Sequence, residues 1–104
     1  MNETDLRLAF KMDTSYYPCW PDTGRFERYA DNIRGLTRSI YAKWLEDKFE
    51  KPLEMRRLFN RETGLGDPVI DNGNYYITEY RNWLERKALC NRKVLVQIKS
   101  LLNL

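Results

Sequence analysis

One octet appears twice in this chain, and it constrains the fold more than any other feature. Tyr41, Trp44, Leu45, Glu46 and Lys48 recur at the same spacing as Tyr80, Trp83, Leu84, Glu85 and Lys87. The upstream flanks match as well: Phe10, Asp13 and Thr14 precede the first octet, and Phe59, Glu62 and Thr63 precede the second. Two copies of one small unit follow from this: a helix ending in (Asp/Glu)-Thr, a loop, then a helix carrying Tyr-x-x-Trp-Leu-Glu. From the leading Phe to the Trp, the second copy is ten residues shorter than the first. The extra length falls in an aromatic loop and in the helix after it.

The 104 residues make one domain's worth of chain. A chain of that length buries roughly 65% of its unfolded surface, so a core without staples is feasible. Hydrophobic residues at 42% and aromatics at 13% exclude a disordered composition. The charges are mixed and sum to only +3, which permits attraction to nucleic acid without demanding it. Cys19 and Cys90 belong to no C-x-x-C pair. Two free, mostly buried thiols in a reducing compartment are expected, with one disulfide between them as the other reading. No apolar run approaches a membrane span. The polar, acidic start Met1-Asn2-Glu3-Thr4-Asp5 does not read as a secretory signal, so a cytoplasmic setting is expected.

Leu6, Leu8, Phe10 and Met12 alternate like a strand, yet Leu6, Ala9, Phe10 and Asp13 fit a helix. The repeat decides for helix over 3–13, since Met55, Leu58 and Phe59 in the matching segment read only as a helix face. Residues 14–24, with Pro18, Pro21 and Gly24, form a loop. From Phe26 to about Lys51 a helical stripe runs for about seven turns, with a kink or break expected near Asn32–Gly35. Pro52 opens the next helix, which Gly64 closes in a left-handed turn. After a second loop over 64–73, pinned by Val69 and Ile70, Asn72 or Asn74 is expected to cap a helix through Ala88. Val94, Leu95, Ile98, Leu101 and Leu102 continue in helical period, with or without a break at Cys90–Asn91. No stretch reads as a strand. The expected fold is all-α, a compact bundle of four to five helices built from two diverged helix–loop–helix repeats. They span about 6–51 and 55–90, with a C-terminal helix over 91–103.

Candidate chemistry is sparse. The chain has no histidine, which removes the commonest general base and metal ligand. No phosphate-binding glycine loop is present, because Gly64-x-Gly66 lacks the lysine and the strand–helix setting. No catalytic residue, metal or cofactor is assigned. Glu46 and Glu85 are an acid–base pair in principle, but carboxylates without a pocket are usually solvated or paired, so each is expected to pair with a nearby Arg or Lys or to hold a loop backbone amide. Tyr and Trp in helical phase read as core, with the two tryptophans placed across the interface between units. Lys43 with Asp47, and Arg81 with Glu85, have the i,i+4 spacing of solvated helix faces.

Two surfaces remain. Tyr16, Tyr17 and Trp20 lie between prolines in a stiff loop, either as a lid over helix ends or as a contact surface for a partner. The second unit closes with no aromatic between Gly64 and Gly73, which favours the contact reading. Arg34 with Arg38, and Arg57 with Arg61, form two basic stripes one helical turn long, candidates for nucleic-acid contact.

The Phe-x-x-(Asp/Glu)-Thr segment followed by Tyr-x-x-Trp-Leu-Glu resembles short proteins encoded by phages and mobile elements of Bacteroidetes-type gut bacteria. The resemblance covers Phe10–Lys48 loosely and Phe59–Lys87 more closely. Ser15 stands in the first copy where the second has Gly64, a departure that makes the first the less typical. It implies an intracellular phage or mobile-element setting and carries over no catalytic residue. The functional expectation is a non-enzymatic binder of a protein partner, a host factor or an assembly component. The alternative is a small nucleic-acid- or nucleoprotein-binding accessory protein.

Overall fold

The computed structural model describes residues 1–14, 31–70 and 75–103, with side chains described for 1–14, 39–69 and 76–103. Five helices carry the fold: α1 (Glu3–Thr14), α2 (Asp31–Glu46), α3 (Pro52–Thr63), α4 (Thr78–Leu89) and α5 (Arg92–Leu102). The all-α expectation holds for the bundle. Between α3 and α4 the chain adds a minimal antiparallel ladder, β1 (Val69–Ile70) with β2 (Tyr75–Tyr76), in the register Val69 to Tyr76 and Ile70 to Tyr75. Two-residue strands are too short to leave a periodic signal, so the sequence does not announce them.

Local chemistry explains where most helices start and stop. Asn2 and Asp5 cap α1 reciprocally: Asp5 N–H donates to Asn2 Oδ1 (3.2 Å) and Asn2 N–H donates to Asp5 Oδ2 (3.0 Å). Pro52 stands at the head of α3, where a missing N–H costs nothing. Gly64 closes α3 at φ 69°, its N–H donating to Asn60 O at 2.8 Å, as its glycine identity predicts. Asn91 ends the ambiguity near Cys90: the chain breaks there, and the Asn91 side chain caps α5 by accepting from Val94 N–H.

Three boundaries differ from the sequence reading. The α2 helix ends at Glu46 rather than near Lys51, and it runs through Gly35 as one helix. Residues 47–51 form turns and bends that let Phe49 fold into the core. The α4 helix begins at Thr78 with Ile77 at its N-cap, not at Asn72 or Asn74. Tyr75 and Tyr76 are held extended by pairing with β1, and Tyr76 N–H donates to the buried Ser39 Oγ at 2.9 Å. Tertiary pairing outweighs the cap signal.

Among the described residues, half of the buried core residues are aromatic. Phe10, Tyr41 and Trp44 form one cluster and Phe59, Tyr80 and Trp83 another, with Leu6, Leu45, Leu84, Val94 and Ile98 filling around them. The α2 and α4 helices pack against each other, while α5 packs on α1 and α4. Cys90 is exposed and free, a correction to the buried thiol expected, because it falls in the break between α4 and α5. Cys19 lies outside the described residues.

Candidate functional site

Each octet builds the same kind of inner cluster. Phe10 meets Tyr41 edge-on at 5.1 Å and Trp44 at 5.5 Å. Phe59 meets Tyr80 at 5.1 Å and Trp83 at 5.5 Å in the same geometry. Trp44 Nε1–H donates to Asp13 Oδ2 at 2.8 Å, and Trp83 Nε1–H donates to Glu62 Oε1 at 3.1 Å. Lys48 lies over the Trp44 ring and 3.6 Å from Asp13; Lys87 lies over the Trp83 ring and 3.0 Å from Glu62. The bond from Trp83, then that from Lys87, holds the Glu62 carboxyl below its ordinary range. At each helix end a threonine hydroxyl folds back: Thr14 onto Phe10 O and Thr63 onto Phe59 O, both at 2.7 Å. The (Asp/Glu)-Thr signature thus has a physical role. The acid takes the indole N–H and the threonine takes a carbonyl of the last turn. Each tryptophan draws these partners from its own half.

Besides the packing of α2 on α4 and of α1 on α5, two buried carboxylates connect the halves. Glu85 is buried, and its oxygens accept from the Tyr41 hydroxyl at 2.7 Å and from Arg7 Nε and Nη2 at 3.2 and 3.3 Å. Glu46 is buried and accepts from the Tyr80 hydroxyl at 2.5 Å and from Arg56 Nε and Nη2 at 2.9 and 2.8 Å. Arg7 and Arg56 occupy the same place relative to Phe10 and Phe59. Each half therefore gives an Arg and a Tyr to the other half's Glu. Glu46 has an extra neighbour, the Tyr76 hydroxyl, which donates to it at 3.4 Å while accepting from Arg56 at 3.0 Å.

Burial, and then the facing carboxylates, raise the tyrosines. Tyr76 is pushed up to about 12, and Tyr41 and Tyr80 move further in the same direction. The Arg56 guanidinium is also held protonated, first by its bond to Glu46. All four carboxylate oxygens already accept a donor. The reading of Glu46 and Glu85 as paired side chains holds. Arg81 and Glu85 do not form a solvated face: both are buried, with Arg81 Nη2–H donating to Asn82 Oδ1 at 2.9 Å. By contrast, Lys43 and Asp47 are exposed and 3.3 Å apart, as expected.

A cleft of about 370 Å³ opens beside the Glu85 site, lined by Glu3, Thr4, Arg7, Asn82, Glu85 and Arg86. Another of about 350 Å³ opens beside Arg56, lined by Leu53, Arg56, Arg57, Asn60, Asp67 and Pro68. Among the described residues no cluster of Cys, Asp and Glu could hold a metal ion.

No family model, curated protein or solved structure matches the chain.

Tyr16, Tyr17 and Trp20 lie outside the described residues, and so do the side chains of Arg34 and Arg38. Arg57 and Arg61 are exposed on the outer face of α3, with Arg57 paired to Glu54 at 3.1 Å. The matching positions on α1 are Leu8 and Met12, which are 46% and 52% exposed. The sequence reading passes over this substitution of apolar for basic side chains. Its signal was available, because the Phe10 to Phe59 register places Leu8 opposite Arg57 and Met12 opposite Arg61. The same register would have found Arg7 from Arg56.

Proposed function

We propose that this chain is a non-enzymatic, cytoplasmic binding protein of phage or mobile-element type that holds a protein partner, a host factor or an assembly component. The outer face of α1 carries the reading. Leu8 and Met12 stand one turn apart in solvent, where the equivalent turn of α3 has Arg57 and Arg61. Apolar side chains at positions that tolerate arginine contribute nothing to the core, and exposing them is unfavourable unless something covers them. The Tyr16–Trp20 loop follows α1 directly in the chain, and its aromatics are of the type that anchors protein interfaces. Occupation of both buried glutamates by Arg and Tyr supports binding rather than catalysis. No helix among the described residues is long and apolar enough to cross a membrane.

The experiment compares capture from host lysate, read by quantitative mass spectrometry, for the unchanged chain, Leu8→Glu/Met12→Glu and Tyr17→Ala/Trp20→Ala. Loss of one specific partner at unaltered melting temperature supports the reading. Capture that is indifferent to both variants sinks it. Exposure of Arg57 and Arg61 favours the second reading, a nucleic-acid- or nucleoprotein-binding accessory protein, although the Glu54 pairing of Arg57 counts against it. Binding that weakens steeply with salt, and is lost in Arg57→Glu/Arg61→Glu, would transfer the assignment to that class.

A further inference from the structure

The contact between halves has the form of an interface between two copies of one molecule. In an isologous pair, residue i of one partner meets j of the other while j of the first meets i of the second. Here Arg7 and Tyr41 meet Glu85, and their counterparts Arg56 and Tyr80 meet Glu46. Each half keeps its Phe–Tyr–Trp cluster, its acid and its lysine to itself, so its inner packing does not depend on which molecule supplies the other half. The halves are joined only through residues 47–51, a turn-and-bend segment in which Asp47, Glu50 and Lys51 are exposed. The α5 helix belongs to the second half and reaches across as well: Gln97 Nε2–H donates to Lys48 O at 2.8 Å, and Lys93 pairs with Glu50.

We propose that this interface also forms between two copies of the chain, by exchange of halves about residues 47–51. The first half of each copy then receives the second half of the other. The exchanged dimer has the contacts between halves that the single chain has, and differs in the path of the connector and in the contacts the connector itself makes, Phe49 in the core, Lys48 with Gln97 and Glu50 with Lys93. Its population is therefore set by chain concentration against the effective concentration that the connector imposes. The polar character of the interface makes the exchange selective, because a foreign helix lacking Arg and Tyr at these places leaves a buried carboxylate unpaired. The partner is a second copy of this chain, and the inference does not rest on the reading of α1 as a docking face.

Two full-length variants test it. Arg7→Glu sets a carboxylate against Glu85, and Glu85→Arg sets a guanidinium against Arg7, so neither chain closes on itself without a like-charge contact. Refolded together at high concentration, they are expected to give a 1:1 heterodimer by native mass spectrometry, since exchange puts opposite charges together at both places. Neither variant alone should give a dimer of comparable abundance. The double variant Arg7→Glu/Glu85→Arg in one chain is the control for tolerance of the reversed pair. If it folds as a monomer while the mixed single variants stay separate, the proposal is overturned. If the reversed pair does not fold even in one chain, the test moves to the unchanged protein. Light and isotopically heavy chains are refolded together, alongside the pair Arg56→Glu and Glu46→Arg. Mixed-mass dimers together with complementation at that second site support exchange; only monomers at every concentration overturn it.

Discussion

The two halves of this molecule are alike inside and unlike outside. Phe10, Tyr41 and Trp44 are arranged as Phe59, Tyr80 and Trp83 are, with ring separations matching to within a few tenths of an ångström. On the outer face of α1, Leu8 and Met12 stand where α3 has Arg57 and Arg61. Packing that leaves few alternatives keeps one solution in both places. A solvated surface imposes no such restriction, so the outer faces are where the halves are able to differ in what they bind.

The largest expected effects test the inner likeness. Trp44→Ala and Trp83→Ala should each lower stability by about 3–5 kcal/mol, since each removes a buried ring and the hydrogen bond its N–H makes to Asp13 or Glu62. Denaturant titration measures both. Near-native stability in either variant breaks the equivalence.

Next come the exchanged hydroxyls. Tyr41→Phe leaves Glu85 with Arg7 as its remaining described donor and should cost about 1.5–3 kcal/mol. Tyr80→Phe should cost less, because Glu46 still has the Tyr76 hydroxyl and Arg56. Equal losses would show that the additional contact of Tyr76 contributes nothing.

Alkaline pH probes the same groups without mutation. Tyr41, Tyr76 and Tyr80 have pKa values in the folded state above their ordinary value of 10.0, with Tyr76 at about 12. The unfolded chain therefore releases these protons first. Their contribution is complete below pH 10, and stability falls as the pH rises through 10 towards 12. Melting temperature followed from pH 8 to 11 should decline at the upper end, and less steeply in the Tyr→Phe variants. A flat profile would contradict the buried carboxylate–tyrosine contacts.

The smallest expected effects lie on the outer faces. Leu8→Glu, Met12→Glu and Arg61→Glu should each change stability by no more than about 0.5 kcal/mol. A thermal melt checks this, and a large loss at Leu8 or Met12 would mean that α1 is covered within the molecule.

The sequence by itself determined the helices and the inner clusters. Spacing along one helix decides which side chains share a face, so the Tyr–Trp–Leu core and the Gly64 stop were legible without any tertiary information. Pairing of Glu46 and Glu85 with basic residues was legible as one of two expectations, beside a bond to a loop backbone amide. Which donor was not. Arg7 and Tyr41 lie far from Glu85 in sequence, and only the packing of α2 on α4 brings them within hydrogen-bonding distance. Tertiary packing also put Arg81 inside, where its i,i+4 spacing to Glu85 pointed outward, and pairing with β1 held Tyr75 and Tyr76 extended where a helix was expected. Local periodicity is fixed by the geometry of one element. Partners contributed by another element depend on the angle and register at which the two meet, and no residue spacing within either element encodes that.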